Sequence, residues 1–509
     1  MFVIVLSVVL LVTIYLYCTR NQDYWSKRNV KHLPPIPLFG NHLANQLGQK
    51  SITEIARELY NLFPNEKVVG YYKGPKPELI IRDLDLARRV LSVDFAHFQY
   101  RGLGRDVKLE PLLKNLFHVD GDTWRLLRQR LTPTFTTAKL KGMFPLVVRC
   151  AERLQALLGE GGERDAREFM ARFTTEFIGA CGFGIEMDTI NDGSSSFREL
   201  GKLIFSRSYV FRFKLMLWEL FPELRSHIAV FDHKIEEAIM AIVKMIRDQR
   251  GGKPSNRNDF IDLLLELEAK GKIVGESIEK MNPDGSPAQA ELLMDLKVQA
   301  AQVFVFFAAG FETSSSATSF TLHELSFNLD VQKRVQAEID EVMLRYDNKL
   351  CYDAVAEMKL LEMTFFEGMR MFPSLGNMHR VCTKRYKIPE LDIVIDPGIG
   401  IIVPVQAIHM DEQYFDNPEE FRPERFTPEE VKARHKFAYL PFGAGPRECI
   451  GERLGKMQSL AGLAAVLHKF TVQPAPGATR KIKVSPLQNV VQGINGELNV
   501  VLTPRKQTG

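Results

Sequence analysis

The sequence predicts a mainly α-helical domain with a small β portion, set behind an apolar N-terminal helix. Segments with apolar residues at helical spacing dominate the chain, and runs with strand character are short and few. The first charge-free stretch is also long enough to cross a membrane.

That stretch is FVIVLSVVLLVTIYLYC, from Phe2 to Cys18, close to the ~20 residues that a spanning helix needs. A cleaved signal peptide is the rival reading. No basic residue precedes the run, no small-x-small cleavage site follows it, and Tyr15 and Tyr17 sit where interfacial aromatics belong. An uncleaved anchor over residues 1–19 is therefore expected. Arg20, Lys27, Arg28 and Lys31 follow it, which by the positive-inside tendency places the rest of the chain in the cytosol. The lack of any N-x-[ST] acceptor agrees.

Next comes a basic, Pro-rich linker over residues 20–50, where Pro34, Pro35 and Pro37 are expected to hold an extended spacer. From residue 51 to 509 no internal boundary or repeat is evident. Helices are expected at SITEIARELYNLF, CAERLQALLGE, KIEEAIMAIVKMIRDQ and SLAGLAAVLHKF, and strands at KVVGYYK, ELIIR, LDIVID and GIIVPV. The polar stretch from Gly271 to Gln289 reads as a surface loop or disordered insertion. A helix beginning near Glu291 carries VFVFFAAGFETSSSATSF; it is apolar on all faces of its first half and should run through the middle of the domain.

Composition narrows the function. A hydrophobic content of 45% in 509 residues supplies a substantial core, and a net charge of +4 gives no warrant for nucleic-acid binding. The six cysteines, at 18, 150, 181, 351, 382 and 449, form no CxxC pair and no metal-like cluster, which points to a reducing compartment.

Four motifs stand out. Thr313 lies four residues after Ala309 on the central helix, so a hydroxyl projects beside a small side chain, although a buried Thr can equally bond the carbonyl one turn back. Glu367 and Arg370 share a helical face among Phe365, Phe366, Met369 and Met371, which favours a buried pair with Arg425 of PERF as a further member. Trp124 and Arg128, spaced i, i+4, make a clamp for a carboxylate. Cys449 sits in FGAGPRECIG, among glycines and ahead of a helical stretch.

Taken in order, these motifs closely resemble the cytochrome P-450 superfamily of haem-thiolate monooxygenases, and within it the insect microsomal branch that handles xenobiotics. The resemblance covers essentially the whole chain and is most specific in the Cys loop. It implies the cytochrome P-450 fold over residues 51–509, a large helical domain with a small β-rich subdomain. It also implies haem b, held without covalent bonds apart from Cys449 thiolate ligation of the iron. Phe442, Gly443, Gly445 and Gly451 would bring backbone to the porphyrin, Ala309 and Gly310 would border its other face, and Trp124, Arg128, Arg380 and Arg447 would hold the propionates. Glu367, Arg370 and Arg425 would form a structural triad.

On the distal side the resemblance assigns proton delivery to Thr313 and Glu312. It places Phe117, Phe304, Ala308, Val490, Val491 and the segment Ser374 to Asn377, with Leu375, around an apolar substrate pocket roofed by RSYVFRFKLMLWELF. No GxGxxG fingerprint for flavin or nicotinamide is present, so electrons must come from outside the chain, and the resemblance implies NADPH as their source. The implied partner is the membrane-bound NADPH-cytochrome P-450 reductase, with cytochrome b5 as an optional second donor, on the endoplasmic reticulum membrane. Arg125, Arg130, Lys432, Arg434, Lys436, Arg453 and Lys456 are the candidate docking cations. A haem or lipid binder without turnover, and a haem-thiolate isomerase or dehydratase, are the rival functions; the intact Ala-Gly-x-Glu-Thr segment argues against both.

Overall fold

Helix α1, Phe2–Thr19, leaves nearly every side chain exposed, Leu6, Leu10 and Leu11 among them. In a computed structural model that describes all residues except 105–106, 186–187, 191–195, 206–207, 256, 258, 489 and 507–509, it is the one helix among the described residues long and apolar enough to cross a membrane. Residues 20–50, expected as a spacer, instead drape over the first sheet. Trp25 is fully buried, its indole N–H donating to the Tyr71 carbonyl at 3.2 Å and its backbone N–H to the Tyr72 hydroxyl at 3.0 Å. Gly70 makes room for it, since a Cβ there would lie 2.6 Å from the indole ring. The prolines are thus pinned against the sheet at both ends.

Helix α2, Ile52–Leu62, starts at a capping box in which Ser51 and Glu54 satisfy each other's backbone N–H groups. Strands β1, Val68–Lys73, and β2, Lys76–Ile81, form a hairpin. Helices α3, Gly121–Leu131, and α4, Thr137–Leu158, lead to β3, Gly162–Asp165, and α5, Ala166–Phe177. Helices α6, Tyr209–Leu220, and α7, His233–Gln249, follow, then strands β4, Lys272–Met281, and β5, Pro287–Leu293. The 32-residue α8, Leu296–Phe327, precedes α9, Lys359–Met371. Strands β6, Met378–Val381, and β7, Gly400–Val403, helix α10, Glu452–Lys469, and strands β8, Phe470–Pro474, and β9, Asn499–Pro504, complete the labelled elements.

The main sheet has order β1-β2-β7-β6, with β2 and β7 parallel, and a second sheet has order β8-β9-β3. One core gathers Phe173, Phe320, Phe365 and Leu463 from α5, α8, α9 and α10. Another packs α3, α7 and α8 through Leu127, Ile239 and Phe304. Because α8 takes part in both, its all-round apolar character follows from its central place.

Three further expectations are corrected. The stretch from Gly271 to Gln289 belongs to the β4–β5 hairpin, whose inward residues Ile273, Ser277, Ala290 and Leu292 alternate with exposed ones; so few of them are large that the period of two is masked. The central helix does not begin near Glu291. Asp295 caps it, its carboxylate accepting the Val298 N–H at 2.8 Å, and Glu291 is in β5. LDIVID yields only a two-residue pairing of Val394–Ile395 with Tyr386–Lys387, and β3, β6, β8 and β9 lie outside the expected runs.

Candidate active site

The Cys loop is a tight backbone structure. The Cys449 N–H donates to the Phe442 carbonyl at 2.9 Å, and the Gly443 N–H to the Leu440 carbonyl at 3.1 Å. Gly443 and Gly445 have φ of 78° and 74°, where glycine is favoured. A Cβ on Gly445 would overlap the Leu91 carbonyl, so close approach of the 89–93 backbone demands this glycine, a reason different from the expected approach to porphyrin. Cys449 lies just ahead of the N-terminus of α10, and it is exposed in a loop whose other residues are mostly half-buried. Burial pushes its thiol up, while the Gly451 N–H and the Arg128 and Arg101 charges pull it down.

The facing wall is α8. Ala309 is exposed in the middle of this otherwise buried helix, flanked by the partly buried Ala308, Gly310 and Thr313. Ser314 of α8 and Gly455 of α10 approach each other, and Ile450 packs with the cluster that holds Phe304. Exposed Ala309 and exposed Cys449 therefore lie on neighbouring elements, α8 and the loop that leads into α10. The Thr313 hydroxyl donates to the Ala309 carbonyl at 2.6 Å, and its backbone carbonyl accepts from the Ser374 hydroxyl at 3.0 Å. Glu312 is buried, with the Arg167 guanidinium of α5 at 3.8 Å.

A third side carries positive charge. Arg447 donates to the Gln99 and Val119 carbonyls, both at 3.0 Å, and to Asp120 at 2.7 Å, and it stacks 4.1 Å over the Trp124 ring. Arg128 donates to the Glu448 carbonyl at 2.7 Å. Arg101, which carried no motif in the sequence, donates to the Phe117 and Arg447 carbonyls at 3.1 and 2.9 Å. Burial, then the charge of Arg101, pushes Arg447 and Arg380 each down to about 9, and burial, with a smaller push from Arg128, brings Arg101 down to about 10. The Asp120 carboxylate pulls all three back up, and the Nε of Arg380 is buried with no hydrogen-bond partner among the described residues. Such an excess of buried cations fits a dianion, and the two propionates of haem b match it in charge and chemistry. The donor set fits haem.

The expected triad is assembled. Glu367 and Arg370 are fully buried, with the Arg370 Nε at 2.7 Å and the Arg425 Nε at 3.2 Å from the Glu367 carboxylate. Arg370 also donates to the His409 carbonyl at 2.9 Å. The His409 Nε2 in turn accepts the Leu440 N–H at 2.8 Å, which ties the triad to the start of the Cys loop. Burial, then the nearby Arg370, pushes His409 down to about 3, so the ring is neutral and can accept at that nitrogen.

Pocket residues are less concentrated than expected. The Gln492 N–H donates to the Ser374 carbonyl at 2.8 Å, which brings the Val490–Val491 segment beside Ser374 and Leu375 and so to Thr313, but Val490 itself is 47% exposed. Phe304 lines a cavity of about 160 Å³ with Leu112, Leu113, Phe231 and Ile235, between α7 and α8. Phe117 lies under the Arg101 guanidinium, 4.7 Å from it. Of the proposed docking cations, Arg125 pairs with Glu276 at 3.5 Å, Arg130 donates to the Val274 carbonyl at 3.2 Å, Lys456 pairs with Glu362 at 2.8 Å, and Arg434 donates to the Arg425 carbonyl. Lys432, Lys436 and Arg453 are exposed.

Comparison with known proteins places this geometry. The family model for Cytochrome P450 matches residues 31–498. The chain is 38% identical to Cytochrome P450 6B6 of Helicoverpa armigera over 502 residues, 98% of this chain and 97% of that protein. It is 40% identical to Probable cytochrome P450 6a13 of Drosophila melanogaster over 464 residues, 90% of each. To Cytochrome P450 6B1 of Papilio polyxenes it is 37% identical over 493 residues, 96% of this chain and 97% of that protein. With a helical domain, a small sheet portion and a match that spans nearly its whole length, the chain belongs to the cytochrome P450 family of monooxygenases.

Proposed function

We propose that this P450 inserts one oxygen atom of dioxygen into lipophilic small molecules, with xenobiotics such as plant toxins or insecticides as the main class and endogenous lipids or hormones as the second, using NADPH electrons delivered by a reductase. The observation that carries the reading is exposed Cys449 and Ala309 on neighbouring elements, with the buried Arg380 and Arg447 close by; in this proposal the haem hollow lies between the two. When bound there, haem supplies dioxygen activation, which thiolate ligation assists.

The chain's own residues have separable tasks. Cys449 would hold the haem iron through its thiolate, which the Gly451 N–H, Arg128 and Arg101 stabilise. Trp124, Arg128, Arg380, Arg447 and Arg101 hold the propionates by charge-assisted bonds. Thr313 and Glu312 move protons into the hollow. The Thr313 hydroxyl, which donates to the Ala309 carbonyl, keeps acceptor capacity for a water, and Arg167 gives Glu312 a counter-charge. Lys432, Lys436 and Arg453 are the exposed cations for the reductase.

A reconstituted system of this protein, reductase, NADPH and a substrate it turns over tests the reading. With isotopically heavy dioxygen the product gains one heavy oxygen atom. In Thr313→Ala the product formed per NADPH drops, by up to the ~10²–10⁴ that positioned proton transfer contributes, and hydrogen peroxide rises in its place. A Thr313→Ala variant that keeps the parental ratio makes that hydroxyl only a bond to its own helix.

Residues 1–19 form the anchor in this proposal, and residues 20–509 lie on the cytosolic face of the endoplasmic reticulum. The exposed apolar α1 and the cations Arg20, Lys27, Arg28 and Lys31 support it. Protease added to intact microsomes should digest the globule; protection of the globule contradicts this orientation.

A further inference from the structure

The two sides of α3 do different things. Trp124 and Arg128, four apart, share one face, whereas Asp122, Leu126 and Arg130, spaced at four, share the opposite one. The β4–β5 hairpin covers that second face. Asp122 accepts the Ile278 N–H and the Ser277 hydroxyl, both at 2.7 Å, and Arg130 reaches the Val274 carbonyl. Leu126 is buried beneath Gly275, where a Cβ would come within 2.7 Å of its side chain.

The start of α3 shows why the hairpin is needed. Asp120 holds the N-cap position but makes no capping bond. Its carboxylate is taken by Arg447 and by the N–H groups of Arg101 and Gly102. The first-turn N–H of Asp122 is left without a local acceptor, and Glu279 of the hairpin accepts it at 3.1 Å. The other oxygen of Glu279 accepts the Tyr100 hydroxyl, next to Arg101. A side chain at Gly121, whose φ is 60°, would collide with this carboxylate.

We propose that the β4–β5 hairpin is the retaining strap of the cofactor site, with Ser277 and Glu279 as positioning residues that keep Trp124 and Arg128 against the haem and slow its escape. This rests on the reading that those two side chains hold the propionates. The hairpin caps α3 in place of Asp120, which frees Asp120 to organise the arginines. Cofactor retention is thereby coupled to a surface element distant in sequence from Trp124, Arg128 and the Cys loop.

The test is transfer of haem from the purified holoprotein to excess apomyoglobin. Ser277→Ala/Glu279→Ala removes three side-chain bonds that tie the hairpin to Asp122 and Tyr100, besides the two that the Ser277 oxygen accepts from the Glu279 and Lys280 N–H groups. It should speed transfer about tenfold at the usual worth of such bonds, with the far-ultraviolet melting curve little changed. Glu279→Gln, which keeps one oxygen to accept the Asp122 N–H and gains an NH2 that can donate to the Tyr100 hydroxyl oxygen, should restore most of the retention. Asp284→Ala, in the hairpin turn, should leave transfer at the parental rate. Gly275→Ala, which presses on Leu126 without touching the cap, should also speed transfer, so the proposal stays testable if the double variant does not fold. Parental transfer rates in the double variant, or equal acceleration by Asp284→Ala, would overturn the strap. Arg128→Ala separates the two layers: if it leaves transfer unchanged, the propionate reading itself fails, whereas faster transfer there with unaffected hairpin variants removes the strap alone.

Discussion

Arg370→Ala will accumulate as haem-free, aggregation-prone protein. The guanidinium donates from Nε and Nη2 to Glu367 at 2.7 and 2.9 Å, and to the carbonyls of His409 and Pro418 at 2.9 and 2.7 Å. Its removal leaves a fully buried carboxylate short of its main counter-charge, with Arg425 at 3.2 Å and the Arg422 N–H at 2.9 Å as remaining partners. Breaking such a buried pair costs about 3–5 kcal/mol, a large share of the roughly 5–15 kcal/mol that a domain has in total. The damage also reaches the site, because Arg370 fixes His409, His409 fixes Leu440, and Leu440 bonds Gly443 at the entry of the Cys loop. Arg370→Lys keeps the charge but loses the fork, and should retain only part of the haem. The check is the haem-to-protein ratio of purified material; a parental ratio in Arg370→Ala contradicts the burial argument.

Features with their own period or charge logic were legible in the sequence. The anchor run and the first half of the central helix are apolar all round, the Glu367–Arg370 and Trp124–Arg128 pairs fall at helical spacing, and each of the four is helical in the structure. What escaped depends on partners remote in the chain. Arg101 sits between Tyr100 and Gly102 with no periodic neighbours, and only folding sets it beside Arg447. The hairpin was hidden because its inward residues include Ser277 and Ala290, and its rationale is a helix cap some 150 residues away, Glu279 on Asp122. Trp25 looked like part of a linker because nothing local announces that Gly70 leaves space for its ring. In the Cys loop the glycines were legible, but the reason for Gly445 is the Leu91 backbone.

Cys449→Ser removes the soft, readily ionised donor while changing side-chain volume little, so the surrounding loop bonds, Cys449 N–H to Phe442 among them, should persist. Serine keeps the donor position but not thiolate character, and electron donation to the iron falls with it. Folded protein with displaced or weakly held haem and no monooxygenase turnover is expected. The most direct measurement is the difference spectrum of the dithionite-reduced protein with carbon monoxide, recorded for the parent and for Cys449→Ser at equal haem content. The parent should give the red-shifted Soret band of thiolate-ligated haem, and the variant should lack it; the same thiolate band in both proteins would contradict the assignment of Cys449.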